Sequence, residues 1–328
     1  MATSKDVARL AGTSTATVSY VFNDGPRPVS DATRARVLKA AKELGYKPNA
    51  AARALITGKT ATFGLVVPSL LNPFFGELAH AFERIARQYE HLLLIADSDM
   101  DPVQEGRHLE AFVNRRVDGV VLVSCAIDSP VITIVNSNNI PLVALHPMPN
   151  HPNVHAVHLD YVGASRELAH HLFSEHDITS LLMIVARGER GSVQHEEGVR
   201  SAAESSGKNV ELQKLESEVS RADVYKRLQD HLLHNQPPEA IYCATDEQAY
   251  GALAALNELG FLVPQDVKVV GFDGTLHSEF AVPSLTSVRQ PLEEIARRAI
   301  EILLGLRQAE SDDCELPGKI LVRRSCGC

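Results

Sequence analysis

Histidine and cysteine are the residues of this chain with the most conspicuous chemistry. His146, His151, His155 and His158 crowd one stretch together with Pro147, Pro149 and Pro152, and Cys314 is followed later by Cys326-Gly327-Cys328. A metal site needs ligands converging at fixed geometry, and neither run has the spacing of a finger or of a helical pair. The histidines read as a surface loop, and the cysteines as an exposed end with redox chemistry left open. There is no phosphate-binding glycine loop, nucleophile elbow or His-Glu zinc helix. The expectation is therefore a protein that is not an enzyme and needs no cofactor and no metal.

Charge is more informative. Residues 1–60 carry ten Lys and Arg against four Asp and Glu, a balance of +6. Residues 61–328 carry 22 basic and 37 acidic side chains, a balance of −15. Such a split suggests a cationic head for a polyanion on an acidic body that does not bind one. The N-terminus has no basic stretch leading into an apolar run, and no apolar segment is long enough to span a bilayer, so a cytoplasmic location with no membrane partner is expected. Five cysteines, an odd number, do not suggest a disulfide framework.

The head must place its side chains on short helices. Thr3 and Asp6 form a capping box, Val7, Ala8 and Ala11 share an apolar face, and Gly12 ends the helix. Ser14 then caps a second helix over Thr15 to Phe22, with Val18, Val21 and Phe22 facing inward. Two short helices joined by a glycine turn make a helix-turn-helix unit, whose second helix would enter a DNA major groove. A loop from Asn23 to Pro28 breaks the chain. A third helix from the Ser30 cap to Gly45 would pack Val37, Leu38, Ala41 and Leu44.

The residues Asp6-Val7-Ala8, Ala11-Gly12, Ser14, Thr17-Val18-Ser19, Val21 and Asn23 resemble the head of the LacI/GalR family of bacterial repressors. The likeness continues through Val29-Ser30, Leu44-Gly45-Tyr46, Pro48-Asn49, Ala52-Arg53 and Leu55. It implies that Thr15, Ala16 and Tyr20 read bases, while Ser14, Thr17, Ser19 and Asn23 contact phosphate or brace the helix. Thr15 and Ala16 offer methyl groups and one hydroxyl, with no Arg or Gln for a bidentate base contact. Residues 49–56 match the family's hinge, too short for a stable isolated helix. In the family two such hinges meet in the minor groove, where Leu55, near Ala52, would wedge a base step apart.

After Lys59, apolar strands alternate with amphipathic helices: strands near 63–67, 92–96, 119–123 and 142–145, then again near 181–185, 240–244 and 267–271. Strands alternating with helices imply parallel sheets covered on both faces, and two such lobes in series place a ligand in the cleft at their carboxyl ends. In agreement with that alternation, the resemblance implies the fold class: an all-α helix-turn-helix head joined to an α/β two-lobed, periplasmic-binding-protein-like core of parallel doubly wound sheets. The domains would be 1–47, a hinge and linker at 48–60, and an effector-binding and dimerisation domain at 61–328. Within the last, the near lobe would hold about 61–160 and 289–318, and the far lobe about 161–288.

The resemblance also nominates effector contacts. Asn72, Phe74 and Phe75 open a helix at a strand end, Asp273 follows a buried strand, and Thr245 should lie nearer the cleft than Asp246, which reads as a helix cap. Many members have an Arg three residues before the glycine of the first far-lobe helix after the strand; His195 stands there, ahead of Gly198. A histidine gives a single-point contact that can titrate near neutral pH, so a simple hexose is not the expected effector.

The reading is a sequence-specific transcriptional regulator, a repressor whose operator affinity is set by a small effector. Its partners would be double-stranded, pseudo-palindromic operator DNA, an effector of unknown identity, and a second copy of itself in a homodimer. The alternative is a cytoplasmic small-molecule-binding protein or enzyme on the same two-lobed scaffold, which leaves the basic head unexplained.

Overall fold

A computed structural model describes residues 2–23, 28–47, 49, 54, 57–123, 132–147, 151, 154–188, 190–307 and 315–328. The chain separates into two compact units, residues 1–62 with 116–118, and the remainder.

The first unit contains α1 (Ser4–Ala11), α2 (Thr15–Asn23) and α3 (Asp31–Glu43). The capping box forms as expected: the Asp6 carboxylate accepts from the Thr3 N–H at 3.0 Å. Gly12 closes α1 at φ 62°, a conformation that costs glycine least. Val7, Val18, Val21, Val37, Ala40 and Ala41 form the core of the three helices. Leu38 and Leu44, expected inside, are exposed at 45% and 37%, and Ala40 takes the inward position. Small residues let three short helices approach closely, and Leu38 falls on the outer side of that contact. Arg34 donates to the Val21 carbonyl at 3.2 Å, tying α3 to α2.

The second unit has two lobes. The near sheet has the order β2-β1-β3-β4-β5, with β1 (Thr62–Val67), β2 (Leu92–Asp97), β3 (Gly119–Leu122), β4 (Leu142–Ala144) and β5 (His155–Ala156). Around it lie α4 (Pro73–Gln88), α5 (Pro102–Asn114) and the short α6 (Ile132–Ser137). Phe63, Leu65, Leu78, Phe82 and Ile85 fill its core, each full burial of such a side chain being worth about 1.5–3 kcal/mol.

β6 (His158–Leu159) leads into α7 (Tyr161–Glu175) and the far sheet. That sheet contains β7 (Ser180–Ala186), β8 (Glu211–Ser217), β9 (Ala240–Cys243), β10 (Lys268–Asp273) and β11 (Thr286–Arg289). The helices between them are α8 (Arg190–Ser205), α9 (Arg221–His234), α10 (Asp246–Glu258) and α11 (Leu276–Phe280). Alternation decides which side chain faces which layer. Ala240 and Tyr242 join the core with Phe173 and Phe272, while Ile241 and Cys243 join the opposite core with Leu256 and Val269.

The chain then returns to the near lobe in α12 (Leu292–Leu303), whose Ile295, Ala299 and Ile300 pack into the near core. The parallel register of β10 with β11 extends to Asp273 opposite Arg289, so Arg289 still belongs to the far sheet. β12 (Glu315–Leu316) pairs with β6, and β13 (Lys319–Leu321) adds antiparallel to β11. Residues 319–328 therefore rejoin the far lobe, beyond the two-part division drawn from sequence.

Candidate functional site

In the head, the turn after α1 fixes the start of α2. The Ser14 hydroxyl accepts from the Thr17 N–H at 3.1 Å and lies 2.9 Å from the Thr17 hydroxyl. This cap leaves Thr15 and Ala16 exposed on the first turn, with Ser19 and Tyr20 half-buried one turn on. The opposite face buries Val18 and Val21, so the side of α2 that carries Thr15, Ala16 and Tyr20 is kept out of the three-helix core. Phe22 packs edge-on against Tyr46 at 5.8 Å, bracing the far end of the helix. Asn23 ends α2 and its side chain lies outside the described residues, as do Ala52 and Leu55 of the expected hinge.

In the second unit, the residues expected to contact an effector lie at or just beyond the carboxyl ends of strands. On the near side Asn72 is 9% exposed and caps α4, accepting from the Phe74 N–H at 2.9 Å. Phe74 and Phe75 are half-buried, packed edge-on at 5.2 Å, and both lean on the near-lobe core.

On the far side two buried carboxyl groups share the end of the sheet. Thr245, not Asp246, is the N-cap of α10, accepting from the Gln248 N–H at 3.1 Å. Asp246 occupies the first helical position and is 1% exposed. It accepts from the Ser287 hydroxyl at 2.5 Å, and from the Thr275 N–H and hydroxyl at 2.7 and 2.8 Å. Burial pushes its carboxyl up to about 6 despite those bonds. Asp273 accepts from the Gln290 amide at 2.9 Å, and burial, reinforced by the charge of Asp246, holds its carboxyl well above the usual range. Its φ of 110° is strained for a residue with a Cβ, and Gly274 continues the turn at φ 60°.

His195 is placed differently from the single-point contact expected of it. It is 4% exposed, beneath Tyr161 and edge-on to Phe272 at 4.5 Å. Its Nδ1 lies 2.8 Å from the Ser165 hydroxyl and 2.7 Å from the Tyr242 hydroxyl, while Tyr242 donates to Ser165 at 2.9 Å. Gly198 explains the depth: a Cβ there would collide with the Val162 carbonyl and Ser165, so its absence lets α8 close onto α7. Burial drives the imidazole down to about 3, so it is neutral near pH 7 and does not titrate there. The residue above it, Tyr161, is half-buried at the start of α7 and stacks on Phe272 at 5.7 Å. No expectation drawn from the sequence named this aromatic.

Two further residues went unnoticed. Glu77, on α4, accepts from the Leu276 N–H at 2.6 Å and lies 3.2 Å from the Arg289 guanidinium, which also donates to the Gly274 carbonyl at 2.5 Å. A near-lobe carboxylate thus holds the turn that carries Asp273. In the histidine-rich stretch, His158 makes a 3.0 Å contact with the Leu159 carbonyl and lies 4.0 Å from Glu315.

A short helix-turn-helix with its second helix presented, joined in one chain to a two-lobed sensor with polar groups at its strand ends, defines a ligand-responsive DNA-binding regulator. Residues 3–49 match the family described as "Bacterial regulatory proteins, lacI family", and residues 169–326 match "Periplasmic binding protein-like domain". "Catabolite control protein A" of Priestia megaterium is 30% identical over 325 residues, covering 98% of each chain. "HTH-type transcriptional repressor PurR" of Pectobacterium carotovorum subsp. carotovorum is 32% identical, covering 99% of this chain and 97% of its own. The structure of a transcriptional regulator CelR–cellobiose complex matches with TM-score 0.71 at 26% identity, over 99% of this chain and 100% of the other. The lac repressor dimer bound to operator and anti-inducer shares the fold, with TM-score 0.86 at 23% identity over 99% of both chains. The chain belongs to the lacI family of bacterial transcriptional regulators, built from a DNA-binding head and an effector-binding core.

Proposed function

We propose that this protein is a cytoplasmic homodimeric repressor of a pseudo-palindromic operator, tuned by a small polar effector in the cleft, and that it catalyses no reaction. One observation carries the DNA reading: the capped first turn of α2 leaves Thr15 and Ala16 exposed, with Tyr20 on the next turn. Thr15, Ala16 and Tyr20 read base edges, while Ser14, Thr17, Ser19 and Asn23 hold the backbone. Ala52 and Leu55 act in the minor groove, where an apolar wedge exchanges stacking for a bend.

One short helix reads too few base pairs to find a genomic site, so two copies are needed. Each lobe carries exposed apolar side chains suited to pairing: Leu71 at 90% and Leu92 at 72% on the near lobe, Phe280 at 79% and Val282 at 92% on the far lobe. The effector contacts Asn72, Phe74 and Phe75 on one side and Thr245 and Asp273 on the other, with Tyr161 as the stacking face. His195 supports Tyr161 from below. The buried carboxyl of Asp273, held above its usual range by burial, suits an uncharged ligand rich in hydrogen-bonding groups, and a relative of this fold is known with cellobiose.

Selection of bound duplexes from a random pool by the purified full-length chain tests the reading. Enrichment of two half-sites related by a two-fold axis supports it; recovery of duplexes with no common sequence overturns it.

A further inference from the structure

Four side chains converge at the end of the far lobe opposite the cleft. His171 lies near the end of α7, five residues before the C-cap His176. Cys326 closes the 3-10 turn Arg324–Cys326, and Cys328 follows Gly327. Since α7 runs into the amino-terminal end of β7, this cluster is remote from the carboxyl ends that form the cleft. No step of the proposed regulation uses it.

One ligand atom from each of the four residues lies within 4.8 Å of all the others. The Nε2 of His171 is 3.5 Å from Cys326 Sγ and 3.7 Å from Cys328 Sγ, and the Nε2 of His176 is 3.3 Å from Cys328 Sγ. Zinc–sulfur bonds of about 2.3 Å and zinc–nitrogen bonds of about 2.0–2.1 Å at a tetrahedral centre set sulfur and nitrogen about 3.6 Å apart. The three measured separations straddle that edge. A donor set of two thiolates and two imidazoles in tetrahedral array selects zinc among common cations.

The backbone is shaped to produce this convergence. In a continuous helix, residues five apart would point about 140° from each other. His176 leaves the helical conformation at φ −117°, which returns its ring to 5.1 Å from that of His171. Gly327 adopts φ 101°, open to glycine at low cost, and this turn sends both flanking thiols to one side. The scaffold beneath is rigid: the Ser325 hydroxyl donates to the Val269 carbonyl at 2.6 Å and accepts from the Thr286 N–H at 2.8 Å. Thr286 also donates its hydroxyl to Cys326 Sγ at 3.1 Å, the kind of outer contact that orients a metal-bound sulfur. Cys326 is buried, whereas Cys328 is exposed and gives an ion a way in.

We propose that His171, His176, Cys326 and Cys328 form a tetrahedral zinc site that pins residues 326–328 to the end of α7. Binding releases the two thiol protons to solvent and ties two segments 150 residues apart in sequence, so zinc stabilises the far lobe.

The test uses the full-length chain, reduced and stripped with a chelator, then titrated with zinc against a chromogenic competitor and, separately, with cobalt(II). The expected results are one equivalent of zinc, a raised thermal midpoint, and the intense visible bands of tetrahedral cobalt with a thiolate charge-transfer band. Cys328→Ser and His176→Gln should each lower zinc affinity by about 10–100-fold or more, since even outer-shell changes cost that much. X-ray absorption of the zinc-loaded wild type should show two sulfur and two nitrogen neighbours, a readout that needs no variant. The proposal is overturned by no uptake, by a weak octahedral cobalt spectrum, or by affinity unchanged in both variants. A Cys326–Cys328 disulfide that takes up no zinc after reduction would also overturn it. None of these measurements involves DNA, so they stand apart from the repressor reading.

Discussion

The carboxylate of Glu77 on the near lobe lies 3.2 Å from the guanidinium of Arg289 on the far lobe, and accepts from the Leu276 N–H as well. Glu77 is 17% and Arg289 36% exposed at the side chain, so the bridge is partly shielded from solvent. It fastens α4, which begins with Asn72, Phe74 and Phe75, to the turn holding Asp273. Opening of the lobes must break it. Discounted for exposure, such a contact is worth about 1 kcal/mol, or about five-fold in the balance between two lobe arrangements. Glu77→Ala should therefore raise the radius of gyration measured by small-angle scattering without effector, while its melting temperature stays within a few degrees of wild type. An unchanged scattering profile would show that the bridge does not hold the lobes.

His195 makes the stability of the far lobe depend on pH. Its pKa is about 3 when folded against the ordinary 6.5, so between those values the unfolded chain binds the extra proton. Stability is then fully present above pH 6.5 and is lost as pH falls toward 3, by as much as about 1.4 kcal/mol per pH unit. Urea unfolding of wild type and His195→Gln across this range should show the variant with the shallower fall. Equal slopes would mean that His195 is charged or solvated in the folded protein.

Asp246 and Asp273 act with the opposite sign. Their folded pKa values are raised, so the stability they contribute is present below about pH 3.8 and is lost as pH rises, through about 6 for Asp246 and through the raised value of Asp273. Asn at position 273 mimics the neutral carboxyl and removes the repulsion on Asp246. Asp273→Asn should thus lose less stability than wild type between pH 5 and pH 8. If Asp273 contacts the effector, the same variant should weaken effector binding, by calorimetry, by about five-fold, the scale of one hydrogen bond of about 1 kcal/mol.

Replacement of Thr15 or Tyr20 should alter which base pairs are preferred, at about 1–3 kcal/mol per contact. Ser14→Ala should instead remove the α2 cap, costing about 1 kcal/mol of head stability and weakening all duplexes alike. Competition assays with single-base operator variants separate the two patterns. A uniform loss from Thr15 replacement would place it among the backbone contacts.

Much of this architecture is legible in the sequence because its signals are local. The Thr3–Asp6 box, Gly12, the Ser14 cap and the strand runs each follow from a few neighbouring residues, and the elements lie where those residues put them. The misplaced features depend on contacts between distant segments. Leu38 and Leu44 fit an apolar stripe, but Ala40 sits where α1 and α3 meet. His195 stands at a family binding position, yet Ser165 and Tyr242, 30 and 47 residues away, draw it into the core. Glu77 meets Arg289 across 212 residues, and His171 meets Cys326 across 155, so neither pairing has any short-range spacing to betray it. The Cys-x-Cys spacing gave no sign of a metal site because half of its donor set lies on α7.

The measurement that bears most directly on the regulator reading is fluorescence anisotropy of a selected palindromic duplex and a scrambled one, with wild type and Leu55→Ala, across a salt series. Specific binding should be roughly a thousandfold or more tighter than binding to the scrambled duplex, and should fall linearly in log K with log salt. Leu55→Ala should bring the two duplexes closer together in affinity. Equal affinity of the wild type for both duplexes, unmoved by Leu55→Ala, would contradict the account.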